Sequence, residues 1–178
     1  MSYEQENKQA LIAYFTKGAK GDKPLGALGV EVEHFVVTAE GERPVSYADT
    51  EGGFGVRDVL AHLAQKYPKK TLGREGDLIG LASDEASITL EPAAQLEISI
   101  APYSSICQIL RVYEEFRADV DSYLAQHGCK LVTSGYHPTA CALDLALIPK
   151  QRYRFMNDYF RKIGTHGERM MRASASTQ

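Results

Sequence analysis

The sequence has no hydrophobic run long enough to cross a membrane. Its apolar stretches are short and interrupted by charge, as in Cys141–Pro149, which contains Asp144. The first residues, MSYEQENKQ, are polar and partly acidic, so they do not resemble a secretory signal peptide. From these two features we expect a cytoplasmic protein without a membrane partner.

Cysteine is scarce, and several functional motifs are missing. The chain has three cysteines, Cys107, Cys129 and Cys141, and no two of them have the short spacing of a zinc knuckle. Because their number is odd, reduced thiols are favoured over a disulfide framework. A redox or metal role for them stays open. The net charge is −3 and there is no basic block, so nucleic acid is not an expected partner. Neither a Walker-type phosphate loop nor a Gly-x-Ser-x-Gly elbow is present.

The chain length and hydrophobic periodicity predict one domain of mixed secondary structure. No repeat or linker divides the 178 residues, and the hydrophobic fraction of 44% is ordinary for a globular protein. Helical spacing predicts helices over Ser2–Lys17, Val56–Lys66, Ser105–His127 and Pro149–Ile163. Alternating or β-rich segments predict strands over Leu28–Thr38, Arg43–Tyr47, Lys70–Arg74, Leu78–Ala82, Ser87–Glu91, Gln95–Ile100, Cys129–Ser134 and the start of one over Met170–Gln178.

Most of these strands are short and lie in hairpin-like neighbourhoods. This pattern favours an α+β fold with a mostly antiparallel sheet and helices on one side, not a doubly wound parallel sheet. The last residues, Ala173–Gln178, show no helix stop, charged tail or turn signal. We therefore expect residues 1–178 to be the N-terminal part of a longer protein. An unpaired sheet edge could then allow self-association.

A pair of glutamates on the first predicted strand is the first candidate site. Glu31 and Glu33 are two residues apart, so they project from the same face with carboxylates roughly 6–7 Å apart. Two like charges this close on an otherwise apolar strand call for solvent or a cation, and Mg²⁺ prefers carboxylate oxygens. The alternative is a strand with one solvated face.

The segment from Ser87 to Ser99 repeats this pattern. Glu91 and Glu97 lie on the polar side of apolar strands, with Gln95 on the same face as Glu97. If the strands are neighbours, one sheet could gather four carboxylates that bind Mg²⁺ and, through it, nucleotide phosphates. The alternative is that the strands are apart and their glutamates simply face solvent.

Weaker signals lie in the second half of the chain. His137, in a Gly-Tyr-His-Pro loop, is more often structural than catalytic. The basic predicted helix that contains Arg152 and Arg154 is more often a solvated face than a phosphate site. Arg169 and Arg172 could face an anion, again against a structural alternative. We assign no catalytic residue from these signals.

Five segments together resemble the glutamate–cysteine ligases, in the branch shared by plants and many bacteria. In chain order they are GVEVEHF, TLEPAAQLEISIAP, GYHP, IPKQRYRFMNDYF and GERMMRASASTQ. The run LEP-x-x-QLE-x-S is the most specific of them, and the ordered set covers most of residues 29–178.

This resemblance implies a fold and a reaction. The fold would be that of the glutamine synthetase superfamily, with an antiparallel sheet forming an open funnel. The reaction would be ATP-dependent ligation of L-glutamate to L-cysteine through a γ-glutamyl phosphate, the first step of glutathione synthesis. Mg²⁺ and ATP are the implied cofactor and co-substrate.

The resemblance also implies site residues. Glu31 and Glu33 match the family's first acidic pair, which serves metal and nucleotide. Glu91 and Glu97 match the acidic positions of the second motif, as metal or glutamate-site ligands. Gln95 and Gln178 are expected on the substrate or nucleotide side. Arg172 is expected there too, because its position lets it face an anion.

The chain is much shorter than members of this family, so we expect little or no ligase activity from it alone. Two alternatives stay open: a carboxylate–amine ligase with another amine acceptor, and a non-catalytic truncated relative that acts as a binding module.

Overall fold

The computed structural model describes residues 2–19, 21, 26–49 and 51–177. Within these segments the helices are α1 (Tyr3–Gly18), α2 (Val56–Leu63), α3 (Ile106–Gln126), α4 (Gln151–Ile163) and α5 (Gly167–Ala173), with a 3-10 turn at Ala142–Asp144. The strands are β1 (Leu28–Thr38), β2 (Lys69–Leu72), β3 (Leu78–Ala82), β4 (Ala86–Leu90), β5 (Leu96–Tyr103) and β6 (Cys129–Val132).

The six strands form one sheet in the order β2-β3-β4-β5-β1-β6, and every neighbouring pair is antiparallel. The long strand β1 pairs with β5 through its first part and with β6 through Phe35–Thr38. The predicted α+β fold with a mostly antiparallel sheet is therefore confirmed.

One face of the sheet packs against α2 and α3 to form the main hydrophobic core. Both helices turn a stripe of apolar side chains to the sheet, as the 3.6-residue period predicts. The buried members are Val56, Val59, Leu60 and Leu63 of α2, Ile109, Val112, Phe116, Val120 and Leu124 of α3, and Val32, Val36, Ile88, Leu90, Leu96, Ile98 and Ile100 of the strands. Because strand side chains alternate, the immediate neighbours of these strand positions lie on the opposite face.

The two outer strands of the sheet differ in how they are protected. Strand β2 is exposed along its whole length, and its lysines Lys69 and Lys70 discourage pairing with another chain. On the other side, β6 covers only the second part of β1. Self-association through an open edge stays a prediction.

Helix α1 makes no contribution to the core. A capping box closes its N-terminus, since Gln5 N–H donates to Ser2 Oγ and Ser2 N–H donates to Gln5 Oε1. None of its residues is buried. Across the described segments, no helix is both long and apolar enough to span a membrane. All three cysteines are unpaired.

Two predicted strands differ from the structure. Arg43–Tyr47 forms only a single bridge, Val37 to Pro44, because proline has no N–H to continue a ladder. The strand predicted over Met170–Gln178 is wrong for residues 170–173, which are the end of α5. There Met171 and Ala173 are buried, and Arg172 pairs with Glu168 one helical turn earlier. The following residues form isolated bridges at Ser174 and Thr177, while Gln178 lies outside the described residues.

Candidate functional site

The face of the sheet opposite α2 and α3 carries the predicted carboxylates. Glu33 lies directly opposite Glu97 in the β1–β5 ladder, and Glu31 lies opposite Ser99. The Cβ atoms of such a cross-strand pair are about 5 Å apart. Since β1 and β5 are neighbours, the alternative of separated strands does not hold for these residues.

Glu91 reaches the same region from the end of β4. A tight turn joins β4 to β5, closed by the bond from Glu91 N–H to the Gln95 carbonyl at 3.0 Å. Ala94 adopts a φ of 68° in this turn, an uncommon value for a residue other than glycine. The turn brings Glu91 to a cavity that Glu33 also lines. The structure thus gathers all four predicted carboxylates in one region.

Burial and mutual repulsion disfavour the charged forms of two of these carboxylates. Burial is the main cause that raises the pKa of Glu33, and the charges of Glu91 and Glu31 add to it. Burial likewise raises the pKa of Glu97, with further contributions from Glu91, Glu31 and Glu33. A cation at this face would relieve the repulsion and lower both pKa values.

Three of the four carboxylates also accept hydrogen bonds from the protein. Ser176 donates to both oxygens of Glu33, from its N–H at 2.9 Å and its hydroxyl at 3.1 Å. The Thr89 hydroxyl donates to Glu97. The hydroxyl of buried Tyr153 lies 3.0 Å from Glu91 Oε1. An ionised carboxylate has about four acceptor positions, so each keeps free lone pairs.

Tyr153 connects α4 to the acidic face. Its hydroxyl is within hydrogen-bond distance of both Glu91 and the Leu90 carbonyl, and it donates its single proton to one of them at a time. Burial raises the pKa of Tyr153, and the neighbouring Glu91 charge raises it further. Lys150 donates to the same hydroxyl at 3.2 Å. Tyr153 is therefore a neutral donor that holds α4 beside Glu91.

A cavity of about 430 Å³ opens between the acidic face and helices α4 and α5. This volume is within the range of small-molecule sites. Its polar lining comes from β1, the turn between β4 and β5 and the chain segment after α5, and its apolar lining comes mainly from the two helices. The lining residues are Glu33, Glu91, Gln95, Ser174 and Ser176, and Pro92, Met156, Phe160, Gly167, Met170 and Met171.

The donor set suits Mg²⁺ shared with a ligand better than a metal held by protein alone. Among the residues that the structure describes, no group of three or more His, Cys, Asp or Glu is arranged to hold a metal ion. Mg²⁺ commonly keeps several waters and uses one or two carboxylates together with substrate phosphates. The facing pair Glu33 and Glu97 meets that requirement with hard oxygen donors.

The three residues predicted on the substrate or nucleotide side have different positions. Gln95 lines the cavity, but its amide is occupied: Nε2 donates to the carbonyls of Arg172 and Ser174, and Oε1 accepts from Ala93 N–H. Gln178 lies outside the described residues. The binding role of both stays a prediction.

Arg172 is buried in contacts with neighbouring elements. Its guanidinium donates to the Leu145 carbonyl, to Asn157 at 2.7 Å and to Glu168 at 3.0 Å. Its Nε is buried without a hydrogen-bond partner among the described residues. These contacts fasten α5 to α4 and the 3-10 turn, and a substrate role for Arg172 stays a prediction.

The positions of His137 and of the basic residues of α4 fit a structural role for His137 and a solvated helix face for the basic residues. His137 Nδ1 accepts from the N–H groups of Thr139 and Ala140, and its ring packs edge-on against Phe35. Arg152 and Arg154 are exposed on α4, away from the cavity lining. None of these residues joins the acidic face.

Comparison with known proteins decides the family. The model of the glutamate-cysteine ligase family 2 matches residues 27–178. The chain is 30% identical over 175 residues to glutamate–cysteine ligase A, chloroplastic, of Oryza sativa subsp. japonica, covering 98% of this chain and 34% of that protein. It is 28% identical to the chloroplastic glutamate–cysteine ligase of Arabidopsis thaliana, covering 98% of this chain and 32% of that one. This chain belongs to the glutamate–cysteine ligase family.

The membership confirms the resemblance inferred from the five sequence segments. The chain spans about a third of the length of the curated relatives it matches. Those relatives are named as chloroplastic, so the expected cytoplasmic location stays a prediction.

Sequence reasoning missed residues that complete this site. Ser176 lies in the segment that the sequence predicts as a strand, and that prediction gives it no role, although it holds the Glu33 carboxylate through two hydrogen bonds. The sequence indicates only that Tyr153 belongs to a basic helix, and it indicates no role for Met156 or Phe160. Their helical spacing, with Tyr153 and Met156 three residues apart and Met156 and Phe160 four apart, could have indicated a face of α4 turned to the sheet.

Proposed function

We propose that the acidic face forms the Mg²⁺- and phosphate-binding part of a glutamate–cysteine ligase active site. The proposed reaction is ATP-dependent ligation of L-glutamate to L-cysteine, as in glutathione biosynthesis. The observation that carries the proposal is the convergence of Glu31, Glu33, Glu91 and Glu97 from three adjacent strand segments beside one cavity.

The chemistry of this ligation needs charge compensation more than an acid or base. In the first step an oxygen of the glutamate γ-carboxylate attacks the γ-phosphorus of ATP, and ADP leaves. In the second the cysteine amine attacks the carbonyl carbon of the acyl phosphate, inorganic phosphate leaves and the amine loses a proton. Bound Mg²⁺ would offset the negative charge of the phosphates during transfer.

The residues of this chain would hold and orient that charge. Glu33 and Glu97 would supply ligand oxygens from facing strands, with Glu31 and Glu91 on either side. Glu33 and Glu97 are already bonded to Ser176 and Thr89, so their side chains have little freedom to move. A site fixed before the ligand binds avoids reorganisation during the reaction.

Titration of Mg²⁺ with and without ATP, followed by calorimetry, tests the proposal. We expect Mg²⁺-dependent ATP binding, weakened at least about 10-fold in Glu33→Gln and in Glu97→Gln because an anionic ligand is lost. Glu114→Gln is the matched control, since Glu114 is exposed on α3 and far from the cavity lining. Equal binding by wild-type protein and all three variants would contradict the proposal.

The second candidate is a binding module without turnover. The chain spans about a third of the length of these relatives, so their turnover is a separate proposal for it. Release of ADP with glutamate and cysteine, and with other amines in place of cysteine, separates the two. A module would bind Mg²⁺ and ATP without turnover, whereas a ligase with another acceptor would respond to the amine supplied.

A further inference from the structure

The residues after α5 pass beside β1 at the acidic face. We call Ser174–Thr177 the C-terminal strap. Thr177 forms a bridge with Val32, and the N–H of Glu33 donates to the Ser176 carbonyl at 2.9 Å. The strap therefore lies beside the part of β1 that β6 does not reach.

Ser176 makes three hydrogen bonds with Glu33. One joins the two backbones, and the other two run from the Ser176 N–H and hydroxyl to the two oxygens of the Glu33 carboxylate. A carboxylate held at both oxygens by one residue cannot rotate freely about its last torsion. Its remaining lone pairs are then fixed in direction.

Gln95 fastens the strap from the opposite side. Its side chain is 1% exposed, and Nε2 donates to the Ser174 carbonyl at 2.8 Å and to the Arg172 carbonyl at 3.2 Å. Its Oε1 is taken by the Ala93 N–H at 2.8 Å. All strong contacts of the amide thus go to backbone, which connects the turn after β4 to the strap.

From these contacts we infer that Ser176 is a positioning residue for Glu33, and that Gln95 acts one step further out by holding the strap. The inference rests on the proposed role of Glu33 as a metal ligand. Partners that hydrogen-bond a ligating carboxylate set its orientation, and their loss typically weakens metal binding 10- to 100-fold. Gln95, the Gln of the LEP-x-x-QLE motif, then has a role that requires no contact with substrate.

The direct test is calorimetric titration of Mg²⁺ in the presence of ATP on variants of the 178-residue chain. Ser176→Ala removes the hydroxyl bond to Glu33, and we expect about 10-fold weaker Mg²⁺ binding. Ser176→Thr keeps a hydroxyl and should restore most of the affinity. Thr177→Ala is the matched control, because Thr177 is exposed on the same strap without a side-chain bond to the acidic face.

Hydrogen exchange provides a readout that does not depend on turnover. Gln95→Leu should speed exchange of the Ser176 amide, which is bonded to Glu33, and weaken Mg²⁺ binding in parallel. If Gln95→Leu fails to fold, Ser176→Ala and Ser176→Thr still decide the role of Ser176.

The possible failures are distinguishable. If Ser176→Ala binds Mg²⁺ like wild-type protein while Glu33→Gln does not, the positioning role is wrong and the proposed function stands. If Ser176→Ala and Thr177→Ala lose affinity equally, in step with their folded fraction, the strap is merely structural and the inference is also wrong. If Glu33→Gln binds like wild-type protein, the proposed function is wrong and the inference falls with it.

Discussion

Consecutive residues of β1 face opposite environments. His34 is fully buried between the sheet and α3, whereas Glu33 lies at the cavity on the other face. His34 Nδ1 donates to the Leu96 carbonyl at 3.1 Å, which leaves Nε2 to accept from the Tyr113 hydroxyl at 2.8 Å. The core face satisfies its buried His34 internally, while the acidic face leaves lone pairs free. One face is organised for stability, and the other is the face that we propose for binding.

The largest effect we expect comes from the core face. Phe116 is fully buried in α3, so Phe116→Ala should lower the free energy of unfolding by about 3–5 kcal/mol through lost burial and a cavity. Chemical denaturation measures this. Phe155→Ala is the control, because Phe155 is 64% exposed and should cost less than about 0.5 kcal/mol. Similar losses in both variants would show that the core face is wrongly placed.

The second prediction concerns the pH dependence of His34. The pKa of His34 is lowered to about 4, chiefly by burial; the Arg117 charge contributes to the lowering, while the Leu96 hydrogen bond and the Asp121 charge oppose it. A depressed histidine pKa means that the unfolded chain takes up a proton first. Its contribution to stability is therefore complete above about pH 6.5 and is lost as pH falls towards 4. The loss should be roughly 3 kcal/mol.

Denaturation of wild-type protein and His34→Phe across pH 7 to 4 checks this effect. The variant should be less stable at pH 7, yet its stability should fall less on acidification. His166→Gln is the control, because His166 is exposed. Parallel pH curves for wild-type protein and His34→Phe would contradict a buried neutral histidine.

The local part of this arrangement could be predicted from sequence. Alternation of β-branched and acidic residues placed Glu31 and Glu33 on one face, and the predicted bounds of β1 and β3 match the structure. Helix α3 was predicted to within one residue at each end, because its apolar stripe is long. These features depend on neighbours within one or two turns of chain.

The long-range part could not be predicted in this way. The bond between His34 and Leu96 joins residues 62 positions apart, and that between Ser176 and Glu33 joins residues 143 apart. No local period records such pairings. The C-terminal residues are an example. The sequence predicts one strand over Met170–Gln178, but tertiary contacts of Met171, Arg172 and Ala173 favour a helix that ends just before the strap.

The smallest predicted effect comes from the acidic face and has the opposite sign to the histidine effect. Burial raises the pKa of Glu97, and Glu91, Glu31 and Glu33 raise it further, so ionised Glu97 weakens the fold at neutral pH. This penalty is relieved as pH falls through the raised pKa. Glu97→Gln should therefore raise the free energy of unfolding at pH 7 by roughly 0.2–1 kcal/mol, the scale of a cross-strand charge pair.

Thermal or chemical denaturation without divalent cations measures the Glu97→Gln effect, and the gain should shrink as the pH is lowered. Adding Mg²⁺ and ATP should reverse the ranking, because only wild-type protein keeps the ligand and gains stability by binding it. A variant that is less stable than wild-type protein at neutral pH without Mg²⁺ would show that Glu97 is a structural acceptor for Thr89 first and a binding residue second. The contrast between the two faces would then no longer hold.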